Sequence, residues 1–380
     1  MKVLITTMSV GDTAPGFVFE KLIKGLSEIH EVDVLTPKYC PSIKISRINK
    51  IIQYSYKETY PRISKLLICF FNIKPYDIIK ANKAANLCDS NYDIIFSLVS
   101  FNNYTSFIAG GIVAKRLHIK HLVYSVDAIP APIEWSSKCL NAGTKKFISK
   151  YLSRTDGLFS SNNQMLEYQL SIFKKKKSFL SGVIYTPSID NTTLTHNINS
   201  STYVFLYTGS IYGLRKVGFL FEAFKKILKK YPNCILEFVG TVISEKDLSK
   251  LTPIERTKII INPFTNNLSE YYAKAIALID IDADFKNDIY LSSKIANYIT
   301  VNRIIISETG MNSPSRKIFK NIPSIIQCDH NVEEIYNALE VAITNSPNID
   351  FNDRKDVIEL FKLNNIILKV NNYLKCAIKN

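Results

Sequence analysis

Tyr203-Val204-Phe205-Leu206-Tyr207-Thr208-Gly209-Ser210-Ile211-Tyr212-Gly213-Leu214-Arg215-Lys216 decides how this chain is read. Five apolar and aromatic residues make a strand, a glycine loop follows, and two cations lead into a helical pattern over 217–230. Cations at a helix N-terminus oppose the macrodipole at a cost of about a few tenths of a kcal/mol. An anionic ligand offsets that cost. Arg215 offers a planar fork and Lys216 a point charge, a pair that suits a diphosphate. The plain alternative is two solvated surface charges, and the glycine loop argues against it. Glycine is scarce here, 13 in 380 residues, about half the usual ~7%. A glycine at a strand end therefore reads as positional.

The same alternation runs outward in both directions. Strands are expected at 203–207, 235–239, 259–261, 277–281, 303–307 and 324–327. Earlier ones are expected at 2–6, 32–35, 93–98, 121–125, 157–160 and 179–185, with helices at 17–29, 104–117 and 145–152. Continuous apolar strands separated by helices predict parallel sheets covered on both faces. The polar, turn-rich stretch 186–201 reads as a linker between two α/β units. A long helical pattern occupies 357–374. No short-period repeat is present, which excludes a solenoid. In open α/β sheets ligands bind beyond the carboxyl ends of the strands, so two such units facing each other would hold a ligand in a cleft.

Composition narrows the classes. Hydrophobic residues are 46% and charged residues 21%, enough for sizeable cores and against disorder. Seven cysteines are few and odd in number, with no C-x-x-C pair; this favours reduced thiols in a cytoplasmic protein. His118 and His121 have no cysteine or carboxylate pair beside them, so no metal site is expected. The apolar start at residues 3–5 is too short for a signal peptide, and no run approaches a membrane span. The net charge of +15 fits nucleic acid, anionic lipid or phosphorylated substrates. Zinc-finger spacing and an aromatic RNP pattern are missing, which argues against nucleic acid. Lys174–Lys177, with Lys145, Lys146, Lys150 and Arg154, is either a solvated surface or a face toward anionic lipid. The stretch 66–71 between Lys65 and Lys74 reads equally as an interfacial or a buried helix. Gly11 and Gly16 follow the first strand in Ser9-Val10-Gly11-Asp12-Thr13-Ala14-Pro15-Gly16; they mark a ligand approach or a plain turn, and are not a G-x-G-x-x-G fingerprint. No cofactor is expected.

The segment 209–227 resembles the start of the C-terminal domain of family 4 glycosyltransferases, which have the α/β GT-B fold. The resemblance implies two Rossmann-like domains facing each other across a cleft. It places them at 1–188 and 202–352, with a linker at 189–201 and a C-terminal helix, 353–380, returning toward the first domain. Arg215 and Lys216 match the family's diphosphate-binding pair; Gly209 and Ser210 stand at the loop start, where many members have Gly-Arg. Ile235-Leu-Glu-Phe-Val239-Gly240 resembles the next strand and glycine. Phe264, in Ile261-Asn-Pro-Phe264-Thr, matches the segment beside the nucleobase, a core aromatic being the alternative. Asp282-Ala-Asp284-Phe-Lys-Asn-Asp288-Ile-Tyr-Leu-Ser292-Ser293-Lys294-Ile-Ala-Asn297-Tyr298 resembles the donor-binding loop and helix. Asn297 stands where such members carry the Glu that binds ribose, and Ser292 and Ser293 are placed for phosphate or for helix capping. Asp127 resembles the acidic residue that faces sugar and acceptor, with an Asx-turn as the alternative.

The resemblance implies a retaining, metal-independent glycosyltransferase. Its donor would be a nucleotide-diphosphate sugar. Its acceptor would be a soluble or lipid-linked glycan at the inner membrane face, as in O-antigen or capsule synthesis. Asp127, Arg215 and Lys216 would act in catalysis. Gly16, Gly209, Ser210, Phe264, Ser292, Ser293, Lys294 and Asn297 would bind donor. Two other readings remain: a non-hydrolysing nucleotide-sugar 2-epimerase, disfavoured because no histidine sits clearly at a strand end, and a non-catalytic scaffold subunit.

Overall fold

The apolar runs form strands because they can be buried on both faces. In the computed structural model Ile94–Val99 and Ala275–Ile281 are buried at every position. The structure describes residues 1–379 apart from 58–60, 90, 102–103, 189–201, 286 and 347–349. The linker expected at 189–201 lies outside the described residues.

The chain divides into two units, Met1–Pro187 with Phe361–Asn380, and Ser188–Leu360. The first holds a seven-stranded sheet built from β1 (Lys2–Thr6), β2 (Glu31–Thr36), β3 (Ile48–Gln53), β4 (Ile94–Val99), β5 (Lys120–Ser125), β6 (Gly157–Ser160) and β7 (Leu180–Val183), in the order β3-β2-β1-β4-β5-β6-β7. The second holds β8 (Tyr203–Thr208), β9 (Cys234–Val239), β10 (Ile259–Asn262), β11 (Ala275–Ile281), β12 (Ile304–Glu308) and β13 (Ile325–Cys328), in the order β10-β9-β8-β11-β12-β13. All named pairings are parallel. Strand order reverses between β1 and β4 in one sheet and between β8 and β11 in the other. The loops after those strands are therefore where each unit can hold a ligand.

Helices cover both faces of the first sheet. One layer buries Phe107, Phe147, Ile148 and Leu152. The other joins the helices Ala14–Ser27 and Leu363–Lys379 through Phe19, Leu22, Leu26, Ile366, Ile367, Val370 and Leu374. The expected single helix over 357–374 is two, Lys355–Phe361 and Leu363–Lys379, interrupted at Lys362. In the second unit Gly218–Lys230 turns Leu220, Phe221, Phe224 and Ile227 inward. Lys229 and Lys230 end it, where cations suit the helix dipole.

Candidate active site in the second unit

β8 ends at Thr208, and Gly209 turns the chain with φ +90°, a conformation that suits glycine. Its amide donates to the Val239 carbonyl (2.8 Å). The space where its Cβ would lie is only 3.5 Å from the Lys294 side chain, so the lysine stem runs close past this turn. Ser210 is exposed, and its carbonyl accepts from the Tyr207 hydroxyl (3.1 Å). Tyr212 stands 61% exposed, with the Arg215 guanidinium 5.1 Å from its ring centre. The helix Gly218–Lys230 begins at Val217 without a side-chain cap, so its first amide groups remain available to an anion.

The loop after β11 meets this turn. Asp284 donates its amide to the Leu214 carbonyl (3.4 Å), and its carboxylate lies 4.0 Å from Lys216 Nζ. Arg215 is largely desolvated, which works against its charge, but Asp282 and then the rings of Tyr212 and Tyr207 outweigh this and hold it protonated. Lys294 is paired with buried Asp280 (3.3 Å) and lies 4.9 Å from the Tyr207 ring centre. Burial opposes its charge too, and Tyr207 and Asp280 restore it. Arg215 and Lys216 thus follow the glycine turn in one loop and Lys294 runs past it, Lys294 held by the buried carboxylate of Asp280.

The carboxylates themselves are unusual. Asp280, Asp282 and Asp288 are all essentially inaccessible. Among the described residues, both oxygens of Asp282, and one each of Asp280 and Asp288, are buried without a hydrogen-bond partner. Burial, and then Asp280 and Asp288, push Asp282 well above the usual carboxylate range. Burial likewise raises Asp288, to about 6. Next to them, at the end of β12, Glu308 accepts from or donates to His330 Nδ1 (2.9 Å), two residues beyond β13. Burial raises the Glu308 carboxyl. Burial by itself lowers His330, and its bond to Glu308 reverses that and raises it. Among the described residues no group of three or more His, Cys, Asp or Glu has the geometry to hold a metal ion.

Among the residues singled out from sequence, Gly209, Ser210, Arg215, Lys216 and Lys294 come together here. Ser292 is the first residue before the helix Ser293–Tyr298, yet it makes no capping bond; its hydroxyl binds Asp280 (2.8 Å). Ser293 is exposed and Asn297 half-buried on the same helix. Tyr298 is fully buried, its hydroxyl accepting from the Thr208 amide (2.8 Å) and bonded to Thr208 Oγ1 (2.9 Å). Phe264 is not a core aromatic. It is 65% exposed, lying against Gly240, whose Cβ would be 3.3 Å from the ring.

Two candidates belong to the first unit. Gly16 sits in the first turn of its helix, where a Cβ would collide with the Gly11 carbonyl at 2.1 Å, and its amide is taken by Thr13 Oγ1 (3.0 Å). Packing accounts for this glycine. Asp127 follows β5, half-buried, and accepts from the Phe101 amide (3.3 Å). His121 is a core residue bonded to Ser97 (2.7 Å), its pKa lowered by burial to about 4. Asp280, Glu308 and His330 were not singled out by their sequence context.

No protein-family model matches the chain, and no curated protein matches its sequence. Solved structures do match. A glycosyltransferase from Rickettsia africae is 14% identical with a TM-score of 0.71, over 100% of this chain and 99% of that one. HepE from Anabaena, solved with UDP-glucose, is 11% identical at 0.67, over 99% of each chain. The chain has the GT-B fold. A protein described as a UDP-N-acetylglucosamine 2-epimerase from Listeria monocytogenes is also similar, 13% identical at 0.60, over 100% of this chain and 96% of that one. Within this GT-B chain, the glycine turn and its cations lie at the β8/β11 switch point. No helix among the described residues is long and apolar enough to cross a membrane.

Proposed function

We propose that the chain is a glycosyltransferase that moves a sugar, with retention of configuration and without a metal, from a nucleotide-diphosphate sugar to a glycan acceptor. The convergence of Arg215, Lys216 and Lys294 on the Gly209 turn carries this reading. A sugar leaves a nucleotide diphosphate with both electrons of the bond going to the departing phosphate oxygen. Negative charge therefore grows on the diphosphate during the step. Arg215 and Lys294, already largely desolvated, stabilise that charge more than they stabilise the ground state, and the exposed Lys216 adds a solvated charge beside them. Phe264 offers an exposed ring to a base. Asp127 is the proposed group for the acceptor hydroxyl. HepE, bound to UDP-glucose, makes uridine donors the first to try. A lipid-linked oligosaccharide in bacterial surface polysaccharide synthesis, at the inner membrane face, is the proposed acceptor.

The test is thermal shift against nucleoside diphosphates and nucleotide sugars, with and without magnesium. A ligand at 100 times its Kd stabilises the protein by about 2.7 kcal/mol. Arg215→Ala/Lys216→Ala is expected to remove that shift while keeping the unliganded Tm. No shift from folded protein with any nucleotide would sink the donor reading and favour a scaffold.

The epimerase reading keeps one specific observation. His330 does stand at a strand end, paired with Glu308, contrary to the expectation from sequence. Incubation of a UDP-N-acetylhexosamine with the protein and no acceptor separates the two. Unchanged donor favours the transferase, and a 2-epimer in the product favours the alternative.

A further inference from the structure

The charge of the chain is divided unequally. Met1–Pro187 with Phe361–Asn380 carries 29 Lys and Arg against 13 Asp and Glu, while Ser188–Leu360 carries 19 against 20. The whole basic excess therefore belongs to the first unit, and the proposed donor phosphates, in the second, do not account for it.

Part of that excess surrounds an apolar stripe. The helix Pro61–Phe71 buries only Ile68. Ile63, Leu66 and Phe70 recur at i, i+3 and i+7, exposed by 44%, 57% and 71%, and Phe71 beside them by 66%. Scattered apolar residues are ordinary on a surface, but four on one short helix form a patch. Arg62 and Lys65 flank the stripe, and the helix holds no acidic residue. Its inner side lies directly on the helix Lys138–Leu152: a Cβ on Gly143 would stand 1.9 Å from the Ile68 carbonyl oxygen. That second helix turns Thr144, Phe147, Ile148 and Leu152 inward and exposes Lys138, Lys145, Lys146 and Lys150. Past its end Lys176 donates to the Arg154 carbonyl (2.8 Å) but is paired with Asp156 (3.2 Å), so the ridge rests on the lysines of the helix. Lys74 is not part of it, since it is largely covered and paired with Asp77 (3.4 Å).

Two chemistries thus share one outer surface. A nucleic acid would meet the cations and leave Leu66, Phe70 and Phe71 against water. An apolar protein groove would cover the stripe and leave the lysine ridge without a role. An anionic bilayer takes both, with rings at the acyl boundary and ammonium groups among the phosphates. We propose that this face of the first unit docks on a lipid surface bearing anionic headgroups. This surface belongs to the first unit and the proposed donor cations to the second, so docking does not depend on the transferase reading.

The test is sedimentation of the full chain with vesicles of phosphatidylcholine alone and of phosphatidylcholine mixed with phosphatidylglycerol. Binding is expected only to the mixed vesicles, and it weakens with salt. Lys145→Glu/Lys146→Glu/Lys150→Glu is expected to weaken it by at least about a hundredfold, and Leu66→Ser/Phe70→Ser/Phe71→Ser to abolish it. Each variant must keep the parent's Tm; the single Phe70→Ser, at the most exposed position, serves if the triple does not fold. Equal binding to both vesicles, or none at low salt, overturns the proposal. So does parental binding by the apolar variants, which would leave a soluble polyanion as the partner. So does a lipid-free dimer that those variants dissociate, because a second copy would then cover the stripe. The nucleotide-induced shift, measured on the same samples, reports on the donor site separately.

Discussion

Asp288 and His121 answer acid in opposite directions. Burial raises the Asp288 carboxyl to about 6, so below that pH the folded chain takes up a proton that the unfolded chain does not bind until lower pH. Acid thus stabilises the native state through Asp288 between about pH 6 and 4. Burial lowers His121 to about 4, so there the unfolded chain binds the proton first and acid destabilises. Each shift is worth on the order of 3 kcal/mol, and the two effects largely cancel. Asp288→Asn removes one side of the balance. Its stability at pH 4 relative to pH 6.5 should fall by about 2 kcal/mol compared with the parent, because the unfolded aspartate is itself partly protonated at pH 4, read by urea unfolding at the two values. An unchanged difference would mean that Asp288 titrates normally. At this scale the cations of the site were legible and most of its carboxylates were not. Gly209, Arg215 and Lys216 are neighbours in sequence, so their chemistry shows in a line of text. Asp280, Glu308 and His330 are brought together by strand register, with Asp280 opposite Ser307 and Ile281 opposite Glu308. Acidic residues are usually solvated, and burial is what sets these apart.

The six-residue helix Ser293–Tyr298 is too short to stand by its own backbone bonds. It is held at both ends by side chains, Ser292 to Asp280 and Tyr298 to Thr208. Tyr298→Phe leaves the Thr208 amide buried without its acceptor, a loss of about 1–3 kcal/mol. Because Lys294 rides on this helix, nucleotide stabilisation should fall as well, which thermal shift with and without ligand would show. Strands with uninterrupted apolar runs, such as β4 and β11, were placed from sequence to within one or two residues. β3 was not anticipated. It is an edge strand reading Ile-Asn-Lys-Ile-Ile-Gln with a single buried residue, so its pattern is that of a loop. The helix Lys138–Leu152 begins seven residues earlier than its hydrophobic pattern, because Ser137 caps a polar first turn by accepting from the Leu140 amide.

The first unit is discontinuous in sequence: its sheet is finished by Val183, and its last helix arrives only after Leu360. Gly25 lies against Ile367 so closely that a Cβ would sit 2.4 Å from its side chain. Ile366, Ile367, Val370, Leu374 and Ala377 are buried by this packing. At about 1.5–3 kcal/mol for each larger apolar side chain, deleting 363–379 should unfold the first unit and leave the second intact. Calorimetry should then show the loss of one transition, with nucleotide still shifting the other. A truncated chain that keeps both transitions would refute this. The arrangement also has a consequence on the ribosome. Residues 188–360 must be translated before the first sheet receives its final cover, a delay of roughly 10–35 s at ~5–20 residues per second. For that interval one flank of the nascent first unit stays apolar and open, while the second unit can already close its own core. In this chain, the half synthesised first is the half that matures last.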